Sequence, residues 1–222
     1  MGAAATDVPK PLLCVSGKEL ITHKLDALPE AIKEIVLVIG HNGDKIRERY
    51  GDWYGARPIT YVEDKTISGT AHALWHAKDV LGPSFLVLMG DDIYSAESLR
   101  AATKITPTIV CKKAFPGEVG SRVLTDKEGC LTDFVTDVTY QKEHTDGGVI
   151  FTGLYALTSD IFQYEPVKMK TKDEWGLPQT LAVYAKDHPV SITLTERWLS
   201  VGTPEEIVAA ETILANLNGE MY

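Results

Sequence analysis

Residues 90–92, Gly-Asp-Asp, set two carboxylates directly behind an unbroken apolar run, FLVLM at 85–89. Such a run reads as a strand buried on both faces, which would put Asp91 and Asp92 at a strand's carboxyl end as hard oxygen donors. Gly90 lets a bound group come close, and an aspartate there can hold Mg²⁺ against phosphates; a capped turn into the next helix fits the same residues. A second polar loop, Ser68-Gly69-Thr70-Ala71-His72-Ala73, opens a helix with small residues. A base or phosphate could meet its backbone N–H groups, while Ser68 or Thr70 could equally be plain helix caps. His72 and His76 are spaced i, i+4 without a third ligand in view, and read as a partly buried or solvated pair. Lys10 lies between Pro9 and Pro11, whose fixed φ limits the entropy lost when that amine meets a phosphate. The segment Trp198-Leu199-Ser200-Val201-Gly202-Thr203-Pro204 leads into a helix and offers backbone amides or a side chain to a ligand.

An alternation of strands and helices would hold these residues in place. Leu20, Ile21, Leu25 and Leu28 form a helical stripe over residues 19–28, followed by a β-branched strand, IVLVI at 35–39. The pattern continues with a charged helix at 42–50, a strand at 59–62, a helix at 70–80, the strand at 85–89, a helix at 95–105 and a strand at 108–111. Strands follow at 123–124, 131–135 and 149–157, joined by turn-rich segments, with helices at 159–164, near 179–187 and at 203–218. The last begins Thr203-Pro204-Glu205-Glu206: a capping hydroxyl, a proline at the first helical position, and acids in the first turn. No repeat or linker interrupts the chain, so residues 1–222 read as a single α/β domain. In an open sheet of this kind, ligands bind at the carboxyl ends of the strands.

The charge balance excludes several classes. Lys plus Arg is 22 and Asp plus Glu is 31, for a net charge of −9. That disfavours a nucleic-acid partner, whose phosphate backbone is gripped mainly by Lys and Arg, and a polybasic membrane-surface protein. No apolar run approaches the roughly 20 residues of a membrane span. Cys14, Cys111 and Cys130 are odd in number and far apart without a CxxC spacing, as reduced thiols of a cytoplasmic protein would be.

Taken in order, PKPLL at 9–13, LITHKLDAL at 20–28, EIVLVIGHNGDKI at 34–46, YVED and SGTAHAL within 61–74, FLVLMGDD at 85–92, FTGLYAL at 151–157 and WLSVGTPEE at 198–206 resemble the sugar-nucleotidyltransferase (NDP-sugar pyrophosphorylase) family. The resemblance implies a Rossmann-like three-layer fold around a mostly parallel mixed sheet. It also implies Mg²⁺ and attack of a sugar 1-phosphate on the α-phosphate of a nucleoside triphosphate, with loss of pyrophosphate. By position, Lys10 would contact the phosphates and Asp91 would bind the metal, the two catalytic positions. Asp64, Gly69 and Thr70 would serve the nucleotide, with Asp64 standing where many members have a base-reading glutamine; a carboxylate accepts hydrogen bonds but donates none. Gly120, Thr152 and Gly153 would line the sugar pocket. The family includes many homo-oligomers, although no heptad or exposed apolar stripe in this sequence marks an interface.

The resemblance also sets out departures. The family opens with a strand and a glycine-rich GxGTR loop shortly before the PKP lysine, and Met1-Gly2-Ala3-Ala4-Ala5 would correspond to residues just beyond that loop. A sheet without this strand is expected to have two unpaired inner edges. Ser200 stands where a second metal-binding aspartate is frequent, and Thr136-Asp137-Val138 where Glu-Lys-Pro is frequent; Asp92, Lys112 or Lys113 could compensate. Two functions follow: a Mg²⁺-dependent enzyme making an NDP-sugar, or a catalytically impaired relative that binds a nucleotide sugar and regulates or assembles with an active partner. A glycosyltransferase ranks behind both, since Asp91-Asp92 only loosely echoes a DxD motif.

Overall fold

A computed structural model describes residues 8–135 and 148–216; Thr136-Asp137-Val138 therefore lies outside the described residues. After a 3-10 turn at Lys10–Leu12 come a short hairpin, β1 (Cys14–Val15) and β2 (Lys18–Glu19), and α1 (Leu20–Ala27). There follow β3 (Ile35–Ile39), α2 (Gly43–Tyr50), β4 (Trp53–Tyr54), β5 (Arg57–Glu63), α3 (Thr70–His76), β6 (Ser84–Leu88), β7 (Asp92–Tyr94) and α4 (Ala96–Ala102). The remainder is β8 (Thr108–Lys113), β9 (Arg122–Thr125), β10 (Leu131–Val135), β11 (Val149–Thr158), α5 (Leu177–Tyr184), β12 (Ser191–Leu194), β13 (Trp198–Ser200) and α6 (Pro204–Asn216). The helix expected at 70–80 ends at His76 and gives way to a 3-10 turn at Lys78–Val80, and the segment expected as a helix at 159–164 is a 3-10 turn, Ser159–Gln163.

β11 organises the larger sheet. It runs antiparallel to β8, with Tyr155 opposite Ile109, and to β6, with Leu154 opposite Leu88. β12 joins β8 in parallel, and the β9–β10 hairpin touches β11 at Arg122–Ile150. A second sheet pairs β3 with β5 in parallel and β5 with β4 antiparallel, while β7 and β13 form a separate antiparallel pair. The molecule is thus mixed α/β, with more antiparallel pairing than strand–helix alternation implies, because β11 returns in the opposite direction alongside both β6 and β8.

β3 pairs only with β5, and β6 only with β11, among the described residues. Each therefore keeps one edge without a ladder, and its apolar residues are less buried than an unbroken hydrophobic run suggests. Only Ile35 and Ile39 of β3 are buried, and Phe85 to Leu88 of β6 are all half-buried. Helix α1 spans the two sheets. Leu28, at its end, packs both against the cluster of Ala27, Tyr94, Leu99 and Leu154, which Leu86 and Leu88 of β6 also cover, and against the cluster of Ile21, Leu25, Ile35 and Ile39, while Phe85 and Val87 pack against the cluster that holds Ala71 and Leu74 of α3. Ser95 caps α4, its hydroxyl accepting from Ser98 N at 3.2 Å. Among the described residues no helix is long and apolar enough to cross a membrane.

Candidate active site

β6 delivers Gly90 and Asp91 to the surface, and the chain re-enters the fold at once as β7. Asp91 is half-exposed, with its Oδ2 3.8 Å from Lys10 Nζ, a contact that solvent screens. Pro9 sets up the 3-10 turn that presents Lys10, and Pro11 lies across Gly90, where a Cβ would sit 3.5 Å from Pro11 Cγ. Asp92 is buried. Burial, and then the Asp91 charge, push its carboxyl up to about 7, against the pull of the Tyr94 hydroxyl and the Lys24 ammonium. The Tyr94 hydroxyl donates within this knot, 3.1 Å from Asp92 Oδ2 and 3.0 Å from Thr152 O. Ser200 of β13 stands directly opposite Asp92 in the β7–β13 ladder.

The far wall comes from β11. Its register with β8 shifts between Phe151 and Leu154, a β-bulge at Thr152-Gly153. Gly153 has φ +79°, and a Cβ there would lie 2.7 Å from Met89 Cγ and 3.2 Å from Asp92 Oδ2, so only glycine fits without displacing its neighbours. Thr152 donates its hydroxyl to Val110 O at 2.7 Å. A cavity of about 280 Å³ opens between these elements, lined by Thr70, Asp91, Asp92, Ser121, Thr152, Gly153, Trp198 and Ser200 among others.

The loop expected to meet the nucleotide is tied up differently. Asp64 is buried, and its Oδ1 accepts from Thr66 N (3.0 Å), Thr66 Oγ1 (2.7 Å) and Ile67 N (3.1 Å). Burial would raise its pKa, but these hydrogen bonds and nearby His76 outweigh burial and hold the carboxyl below its ordinary value. The same bonds keep β-branched Ile67 at φ +46°, an unfavourable backbone for such a residue. Gly69, at φ +107°, backs onto the main chain of Trp175: a Cβ would collide with its carbonyl oxygen and lie 2.7 Å from its nitrogen. Thr70 does not cap its own helix; its Oγ1 accepts from Leu177 N at 3.0 Å, at the start of α5. His72 bonds Ser68 Oγ at 2.6 Å and stacks on Trp175 with centroids 4.3 Å apart, while His76 Nε2 lies 3.6 Å from Asp64 Oδ1.

Of the candidate residues, Thr70, Asp91, Thr152 and Gly153 share the cavity wall, and Lys10 reaches it through Asp91. Gly69 and Gly120 lie one residue from the lining residues Thr70 and Ser121, and a Cβ on Gly120 would press within 2.7 Å of Ile150 Cγ2. Asp64 does not line the cavity. Lys112, one candidate replacement cation, is held by Glu118 at 2.5 Å and lies 5.5 Å from the Trp198 ring centre. Lys24 is a residue that sequence reasoning passed over. It is buried, and its Nζ donates to Gly90 O at 3.0 Å and Asp92 O at 2.6 Å. Burial pushes its pKa down to about 8 against the pull of Asp92 and Asp91. Position 24 falls within the apolar stripe of 20, 21, 25 and 28, but a lysine there is ordinarily taken to reach out to solvent.

Among the described residues no three His, Cys, Asp or Glu side chains gather as a protein-only metal site. Two adjacent carboxylates facing one cavity, one of them half-exposed, nevertheless fit a hard divalent cation that takes its other ligands from phosphates and water.

Residues 5–111 match the family profile described as "Nucleotidyl transferase". The chain is 28% identical over 213 residues to the UTP–glucose-1-phosphate uridylyltransferase AglF of Haloferax volcanii, covering 92% of this chain and 87% of that one. It is 27% identical over 210 residues to the bifunctional protein GlmU of Methanocaldococcus jannaschii, covering 93% of this chain and 49% of that protein's length. Among solved structures, apo UDP-glucose pyrophosphorylase superposes with a TM-score of 0.76 at 19% identity, over 95% of this chain and 92% of the other. HddC from Yersinia pseudotuberculosis superposes with a TM-score of 0.72 at 18% identity, over 96% and 92%.

Proposed function

We propose that this chain is a sugar nucleotidyltransferase, joining a nucleoside triphosphate to a sugar 1-phosphate to give an NDP-sugar and pyrophosphate; the nucleotidyl transferase profile over residues 5–111 and the likeness to the Haloferax uridylyltransferase support this reading. The observation that carries this reading is the single cavity at the carboxyl end of β6, where Asp91, Asp92 and Thr70 face the Thr152-Gly153 bulge across a space of about 280 Å³. Such a transfer needs little covalent work from the protein: it needs two anionic reactants held in line and their charge neutralised.

In this reading Lys10 meets the triphosphate oxygens as a point charge, on a turn stiffened by two prolines. Asp91 and Asp92 would hold Mg²⁺, which when bound would neutralise the crowded phosphate oxygens. The Thr152-Gly153 bulge, packed behind against Met89 and Asp92, presents its backbone as the wall against which a hexose lies. Gly69-Thr70 and the end of its loop face the nucleotide, and Asp64 shapes that loop through Oδ1, which takes three hydrogen bonds. The name of the Haloferax relative makes UTP with glucose 1-phosphate the first pair to try.

Pyrophosphate release from purified protein with Mg²⁺ and a panel of nucleoside triphosphates and hexose 1-phosphates tests the proposal. Release from at least one pair is expected, and Asp91→Asn is expected to remove Mg²⁺-dependent nucleotide binding while the fold survives, since that side chain stands at the surface. One observation favours a second reading, a catalytically impaired nucleotide-sugar-binding protein: Ser200, a poor Mg²⁺ ligand, faces Asp92 across the ladder. No release from any pair, together with calorimetric binding of an NDP-sugar, selects that alternative.

A further inference from the structure

Helix α1 should be apolar where it meets the core, and four of its stripe positions are. The fifth is Lys24, a buried ammonium between Leu20 and Leu28. A buried charge is costly unless its hydrogen bonds are made. Here two of its three N–H groups are taken by carbonyls, Gly90 O at 3.0 Å and Asp92 O at 2.6 Å. Those carbonyls flank one residue, Asp91. The carbonyl between them is fixed as well, since Val201 N donates to Asp91 O at 3.0 Å. Three successive peptide groups are therefore pinned, two by a single side chain, although the segment begins with a glycine and would otherwise be free to turn. A methionine or leucine would fill the same space in α1 and leave both carbonyls without this donor.

We propose that Lys24 is a positioning residue: by holding the Gly90 and Asp92 carbonyls, one peptide group before Asp91 and one beyond it, while Val201 N holds the carbonyl between, it fixes the direction in which the Asp91 carboxylate faces the cavity and so preorganises the cation site. This rests on the nucleotidyl-transfer reading, which makes Asp91 a metal ligand. Outer partners that orient a ligating carboxylate typically contribute about 10–100-fold in metal affinity.

The test uses the full chain, with Mn²⁺ as a paramagnetic stand-in for Mg²⁺ and each of the four common nucleoside triphosphates, for wild type, Lys24→Met and Asp91→Asn. Mn²⁺ affinity in the presence of nucleotide is read by electron paramagnetic resonance, and nucleotide affinity without metal by calorimetry in chelator. Lys24→Met is expected to weaken Mn²⁺ about 10-fold or more, to leave metal-free nucleotide binding unchanged, and to speed amide exchange at residues 90–92. Equal weakening of both affinities would mean a general loosening of the fold and overturns the positioning role, as does unchanged Mn²⁺ affinity in a folded variant. Absence of Mn²⁺ binding by the wild type itself with every nucleotide overturns the nucleotidyl-transfer reading first, and the role of Lys24 with it. Should Lys24→Met not fold, Lys24→Gln retains two N–H donors without the charge and is judged by the same two affinities, with a smaller selective loss of Mn²⁺ expected.

Discussion

β11 and β3 are both apolar β-runs, yet the fold treats them differently. β11 is ten residues long and buried at all but its two ends, whereas β3 is five residues long and buried only at its two ends. Local sequence does not explain this, since IVLVI at 35–39 is as hydrophobic and β-branched as any segment of the chain. Neighbours do. β11 has β8 along one edge and β6 and β9 along the other. β3 has β5 along one edge and no ladder along the other among the described residues, and Val38 is 37% exposed. A continuous apolar run thus states that a strand is built for burial; what buries it is settled by its ladder partners.

Leu154→Ala should open the widest gap between the two regions. Leu154 is fully buried between Leu88 and Val110 in the ladder, so its truncation is expected to cost about 2–5 kcal/mol in denaturant unfolding, transfer and cavity terms together. Val38→Ala, in the less buried strand, is expected to cost under about 1 kcal/mol by the same measurement, as partly exposed positions do. Comparable losses from both would break the comparison, because they would require the open edge of β3 to be covered in solution. Amide exchange is a smaller but finer probe. The central amides of β11 should exchange only on global unfolding, and those of β3 on its unpaired edge by local opening.

The same contrast shows what could be read without coordinates. Strands at 35–39 and 131–135 were legible to the residue, because each is a compact apolar or alternating run bounded by turn residues. β7 and β13 were not: three residues carry no measurable period, and only their pairing, Trp198 with Tyr94 and Ser200 with Asp92, makes them strands. The convergence of Thr70, Asp91, Thr152 and Gly153 on one cavity followed from strand ends meeting at a sheet's ligand edge, whereas 149–157 read as one unbroken strand and the bulge at Thr152-Gly153 emerged only in the ladder with β8. The commitment of Asp64 to its own loop was hidden, since hydrogen bonds over two and three residues depend on the turn actually formed. Lys24 was hidden for a different reason. A lysine in a helical stripe is ordinarily taken to reach out to solvent, and only the carbonyls above it show why it stays inside.

The smallest expected effect concerns the helix that ties the two regions together. On α1, Ile21 and Leu25 face the β3 side, while His23 is buried on another, its Nε2 3.0 Å from Val15 O. Burial lowers the His23 pKa below its ordinary 6.5; the bond to Val15 opposes this, and Lys18 and Lys24 add to it. With the folded value depressed, the unfolded chain binds a proton more readily in the window just below 6.5, so stability is complete above that pH and declines as pH falls through it. His23→Gln keeps an N–H donor for Val15 O and removes the titration. Its Tm should therefore lose the part of the wild-type decline that lies between about pH 6.5 and pH 5, while acid loss at lower pH, from carboxylates such as Asp64, remains. A wild-type slope in that interval that persists unchanged in His23→Gln would show that other groups carry the decline and that this imidazole is not the titrating contact between α1 and β1.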